Sequence, residues 1–256
     1  MRNIQKTILA STFLGILVVS STSSAEEFTG NIGIYSKYVL RGLTTPASES
    51  DRAVLQGGLD YGHDSGFYAG WWASSLDYTY SADDSSTTGN GFENDFYLGF
   101  SGALGESASY DLGLIQYYYL DVDDSNLTEF KFGLSAGPIS AEMYYLLNDG
   151  WWGNKGDTYF SVGYETELPK NFTFSATAGF YRYEDADNNK LCAPDPAGCG
   201  ITIKKSGFRH VDLSLSHPIG NTGADVSFRY VIGGKNRGDV EQNNTMVLGI
   251  SYNFDL

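Results

Sequence analysis

Three histidines, two cysteines and two acidic runs are the residues of this 256-residue chain best equipped for chemistry. His210, Asp212 and Ser214 share one parity, the residue types an esterase would bring together. Neighbours on one face of an extended chain stand about 6–7 Å apart, too far for a triad to pass a proton. His63 and His217 fall beside turn residues, so the sequence offers no catalytic set. Asp121-Val122-Asp123-Asp124-Ser125-Asn126 and Asp185-Ala186-Asp187-Asn188-Asn189 resemble calcium loops. Both lack the glycine at position six and the glutamate at position twelve, so no metal or other cofactor is expected. Cys192 and Cys199 enclose Ala-Pro-Asp-Pro-Ala-Gly and, in an oxidising compartment, are expected to close as a disulfide.

The remaining charges are informative because of where they fall. Lys37, Arg41, Asp60, Glu93, Asp95, Asp111, Glu129, Lys131, Glu142, Glu165, Asp212, Asp225 and Arg229 all lie on one parity of alternating runs. The other parity is apolar: Phe96, Leu98 and Phe100 against Asp95, Tyr97 and Gly99, and Val226, Phe228 and Tyr230 against Asp225, Ser227 and Arg229. A charge facing lipid at mid-bilayer costs about 2–4 kcal/mol for Arg or Lys, so in a membrane the charged parity belongs to a lumen. Charged rings on a pore wall select by sign. Nine acids against four bases predict a channel that prefers cations and neutral solutes. Cross-strand pairing of the same charges, with inward Tyr68, Trp72, Tyr97, Tyr117, Tyr119 or Tyr144, would instead close the lumen.

Twelve alternating runs carry these residues, centred on 31–42, 52–62, 66–78, 92–103, 107–120, 127–136, 139–148, 156–167, 171–183, 207–216, 223–233 and 245–256. Their lengths suit tilted membrane strands. The connections alternate between short, such as Gly137-Pro138 and Leu168-Pro169-Lys170, and long, such as 79–91 and 184–206. Bacterial barrels have short periplasmic turns and longer outer loops. The expected fold is therefore all-β: one antiparallel transmembrane barrel of about twelve strands. Twelve lies between barrels filled by side chains and barrels with an open channel. The 184–206 loop is the one expected to fold inward as a constriction.

The start of the chain fits export. Arg2 and Lys6 precede an apolar run from Ile8 to Val19, and Ser23-Ser24-Ala25 offers the small residues of a cleavage site. The expected organisation is a signal peptide over 1–25 and an outer-membrane barrel over 26–256. Without Arg2 and Lys6, fourteen basic residues face 31 acidic ones, a net charge of −17 that excludes binding driven by nucleic-acid phosphates. Tyr, Phe and Trp suit both strands and the aromatic belts at membrane interfaces.

Ser36-Lys37-Tyr38-Val39-Leu40-Arg41-Gly42-Leu43 resembles the S-x-Y-x-x-R-G opening of the TorF family, a proteobacterial group of porins. Gln56-Gly57-Gly58-Leu59-Asp60-Tyr61 and Ser65-Gly66-Phe67-Tyr68-Ala69-Gly70-Trp71-Trp72 are similar to that family as well. Gly249, Tyr252 and Phe254 resemble a barrel-assembly signal, with Asp255 and Leu256 following the aromatic. The resemblance implies an outer-membrane, porin-like passive channel for ions or small solutes. Its expected partners are outer-membrane lipid, lipopolysaccharide and the barrel-assembly machinery. The alternative is a closed barrel acting through its outer loops, and a lipid-hydrolysing enzyme is not expected.

Overall fold

A computed structural model describes residues 26–44, 52–77, 79, 91–150, 152–185 and 202–256. The expected signal peptide and the cysteine pair Cys192–Cys199 lie outside the described residues. The chain forms strands β1 (Glu27–Tyr35), β2 (Val39–Leu40), β3 (Leu43–Thr44), β4 (Val54–Gly62), β5 (Phe67–Ser75), β6 (Phe92–Leu104) and β7 (Ala108–Leu120). They are followed by β8 (Leu127–Ala136), β9 (Ile139–Leu146), β10 (Thr158–Leu168), β11 (Phe172–Arg182), β12 (Ser206–Pro218), β13 (Ala224–Gly233) and β14 (Thr245–Asp255).

Twelve of these close into one antiparallel barrel, in which each strand pairs with its chain neighbours. Closure comes from β1, which pairs with β4 (Glu27↔Gly62 to Tyr35↔Val54) and with β14 (Thr29↔Asp255 to Tyr35↔Gly249). Closure leaves no unpaired strand edge, which a bilayer would not tolerate. β2 and β3 form a separate two-residue hairpin.

Alternation is carried through into three dimensions. Ile34, Leu98, Phe100, Val162, Phe228, Leu248 and Ile250 are large, apolar and exposed on the outer surface. Each contributes about 1.5–3 kcal/mol when moved from water into an apolar medium, so hydrocarbon is the solvent this face fits. Glu93, Asp95, Asp111, Glu129, Lys131, Asp212 and Arg229 are buried on the inner face. No helix among the described residues is long and apolar enough to cross a membrane, and the strands do not need one.

Strand bounds match the twelve runs closely except at the first. β1 runs from Glu27 to Tyr35, not over 31–42. Its outward face begins at Phe28, ahead of Ile32 and Ile34, and its register on β14 continues down to Thr29. After Tyr35 the chain leaves the wall. Arg41 (φ 47) and Gly42 (φ 76) take left-handed backbone, which no strand can contain.

Candidate functional site: an ionic plug across the lumen

That departure builds the centre of the molecule. Residues 36–44 fold into the barrel, with the β2–β3 hairpin presenting Arg41 and Gly42 at its tip. In the barrel order, β1 and β4 lie across from β9 and β10, and the tip reaches that opposite wall. Arg41 Nη1 and Nη2 donate to Glu129 Oε1 and Oε2 on β8 at 2.8 and 2.7 Å, and Nη1 also donates to the Tyr181 hydroxyl on β11 at 3.0 Å. The guanidinium sits 4.5 and 4.6 Å from the ring centres of Tyr144 on β9 and Tyr159 on β10. Arg229 Nη2 donates to the Val39 carbonyl at 3.0 Å. A Cβ on Gly42 would stand 2.5 Å from the His210 Cβ, so only glycine fits there. Lys37 and Arg41 thus belong to this plug and not to the strand wall. The inward-folding segment is the first loop, where the sequence pointed to 184–206; residues 186–201 of that later loop are outside the described residues.

Around the plug the wall residues are tied to one another. Tyr117 and Tyr119 donate to Glu129 and Glu93, both at 2.8 Å. Below them Tyr68 donates to Asp111 at 2.9 Å, Lys131 Nζ lies 3.5 Å from Asp111 and 3.7 Å from Glu142, and Tyr97 donates to Asp60. Arg229 Nε lies 3.3 Å from Asp212. Beside Val39 a cavity of about 20 Å³, lined in part by Tyr35, Tyr38, Gln56 and Arg229, has room for about one water. Toward the end of the short turns the inward residues open to solvent: Asp60 and Asp225 are half-buried and Glu165 is exposed. At the other end the loops cap the barrel. Asp157 accepts from Arg237 and from the backbone N–H of Asn154 and Glu184 at 2.9 and 2.8 Å. Trp152 packs edge-on against Tyr117, 5.1 Å between ring centres, and donates to the Ser125 carbonyl.

The buried side chains differ across the lumen. β6 and β7 carry the acids Glu93, Asp95 and Asp111; β12 and β13, diametrically opposite, carry Arg209, His210, Asp212 and Arg229. Sequence parity missed Arg209, because it read His210 and Asp212 as inward. At the β11–β12 seam Gly179 pairs with His210 but Phe180 pairs with Phe208. Arg209 is the extra residue of a bulge, and both Arg209 and His210 are buried. Arg237, in the loop after β13, escaped a reading confined to strands.

His210 has the look of a catalytic base and the surroundings of a strut. Its Nδ1 is 2.7 Å from Asp212 Oδ1 and its Nε2 is 2.8 Å from the Tyr159 hydroxyl, so both ring nitrogens are engaged. One Gly-x-Ser-x-Gly spacing exists, Gly133 to Gly137, but it runs along β8 into a turn, and Ser135 shares a 2.6 Å hydrogen bond with Ser109. Among the described residues no group of three His, Cys, Asp or Glu could hold a metal, the 121–126 run included. At the closing seam a Cβ on Gly249 would lie 2.4 Å from the Tyr35 ring, and the rings of Tyr252 and Phe254 stack at 6.1 Å.

This architecture recurs in solved proteins of distant sequence. The KdgM porin superposes with a TM-score of 0.53 at 8% identity, over 88% of this chain and 99% of its own. The NanC porin does so with a TM-score of 0.51 at 10% identity, over 88% and 98%. At such identities the likeness is one of fold. No curated protein is detectably similar in sequence. The profile of a family described as "Bacterial protein of unknown function (Gcw_chp)" matches residues 20–193.

Proposed function

This chain belongs to the Gcw_chp family of bacterial proteins of unknown function, and we propose that it is a passive outer-membrane channel for ions or small solutes, held shut in its outer half by the 36–44 plug. The observation that carries this reading is the Arg41–Glu129 contact. A segment anchored on one wall reaches the opposite wall and is held there by an ion pair instead of apolar packing. A buried ion pair is no more stable than an apolar contact of the same size, because both charges give up their hydration. Water entering the lumen restores that hydration, so the contact suits a barrier that is made and released. The porin fold and the likeness of Ser36–Leu43 to the TorF opening support the same reading.

Selectivity follows from the solvent-reached half. Asp60, Glu142, Glu165 and Asp225 line it, while Lys131 is buried and held between Asp111 and Glu142. A vestibule of one sign concentrates the opposite ion, which favours cations and disfavours anions. On this reading residues 1–25 are a cleaved export leader, lipid and lipopolysaccharide surround the apolar belt, and Gly249, Tyr252 and Phe254 address the chain to the barrel-assembly machinery. Lipid hydrolysis does not fit, because His210 is 1% exposed and already bonded through both nitrogens.

A second reading is favoured by the packed outer half: a permanently closed barrel that works through its loops. Single-channel recording from the refolded chain separates the two. Discrete steps support the channel; a folded, heat-modifiable barrel without steps in any plug variant removes it.

A further inference from the structure

We propose that Arg209 forms an anion-binding site in the outer lumen, which takes the carboxylate or phosphate group of a small solute. Four arginines are buried among the described residues, and three have an acid: Arg41 with Glu129, Arg229 with Asp212, and Arg237 with Asp157. Arg209 has none. It is 1% exposed, and its Nη1 and Nη2 both lack a hydrogen-bond partner.

A guanidinium does not shed its proton, so burial cannot neutralise this side chain as it would a lysine. The compensating charge has to come from a bound anion. The two free nitrogens form the parallel fork that matches a carboxylate or phosphate edge. Arg237 lies nearby with its charge taken by Asp157, which leaves Arg209 as the cation there without an acid. The Arg237 guanidinium lies 4.9 Å from the Tyr183 ring centre, and the Gly234 N–H donates to the Arg209 carbonyl at 2.8 Å, which ties the two arginine-bearing segments together. The bulge at Gly179/Phe180 is the device that creates the site: without the extra residue, Arg209 would point into lipid. The site stands whether or not the barrel conducts.

The test is isothermal titration of the refolded chain in detergent with sodium phosphate, and separately with sodium acetate, against sodium chloride at equal ionic strength. Saturable one-to-one binding of phosphate or acetate, absent with chloride, is expected, and whichever binds more tightly identifies the group. Arg209→Gln should weaken it by about tenfold to a hundredfold, the worth of one charged hydrogen bond. Arg209→Lys, which keeps the charge but loses the fork, should fall between. Should Arg209→Gln fail to fold, the guanidinium nitrogen resonances of the unmutated chain provide the readout: one should move on titration. No saturable binding, equal binding by Arg209→Gln, or unmoved guanidinium resonances would overturn the site.

Discussion

Replacing Arg41 with alanine should release the plug. The substitution removes two hydrogen bonds to Glu129 at 2.8 and 2.7 Å, one to Tyr181 at 3.0 Å, and the contacts with the Tyr144 and Tyr159 rings. Removing one partner of a buried ion pair costs about 3–5 kcal/mol, because the other charge is left uncompensated. Glu129 keeps the Tyr117 hydroxyl at 2.8 Å, which places the expected cost near the lower bound, about 3 kcal/mol or roughly a hundredfold in the plug equilibrium. Two assays read it. Open probability in planar bilayers should rise, and trypsin should cut at Lys37 much faster than in the unmutated chain. Glu129→Ala should act in the same direction. The double variant should cost less than the two single ones added together, because neither charge is then stranded. Unchanged currents and unchanged trypsin resistance in Arg41→Ala, or costs that simply add in the double variant, would refute the plug as an ionic latch.

Gly42→Ala forces a left-handed alanine, about 1–2 kcal/mol of backbone strain, and sets its Cβ against His210, so open probability should rise while the denaturant midpoint of the barrel barely moves. Leu98→Arg puts a charge on the lipid face and should lower stability in urea unfolding from lipid vesicles by about 2–4 kcal/mol. Glu165→Gln combined with Asp225→Asn removes two of the solvent-reached lumen acids and should move the reversal potential under a salt gradient toward zero, with conductance steps retained.

Most of the barrel is legible because a membrane strand must separate its two faces by parity. Phe96, Leu98 and Phe100 against Asp95 and Tyr97 state both the strand and its lumen side. Three features do not follow that code. β1 begins upstream of the expected run 31–42, because β14 offers pairing partners down to Thr29. The expected run 31–42 takes in Val39, Leu40 and Arg41, but the wall strand ends at Tyr35, and the left-handed Arg41-Gly42 turn folds these residues into a hairpin inside the barrel. Arg209 was hidden by a bulge, which reverses parity at one residue and leaves no compositional trace. The inward charges were legible singly, but their partners were not: Arg41 and Glu129 are 88 residues apart, and only barrel closure brings them together.

The most direct test of a plugged channel is a planar-bilayer recording of the refolded chain beside a variant lacking residues 37–44. Rare or small steps are expected from the intact barrel, and sustained, cation-preferring conductance from the shortened one. A shortened barrel that folds, inserts and stays silent would contradict it, because the wall itself would then be closed and the plug would guard nothing.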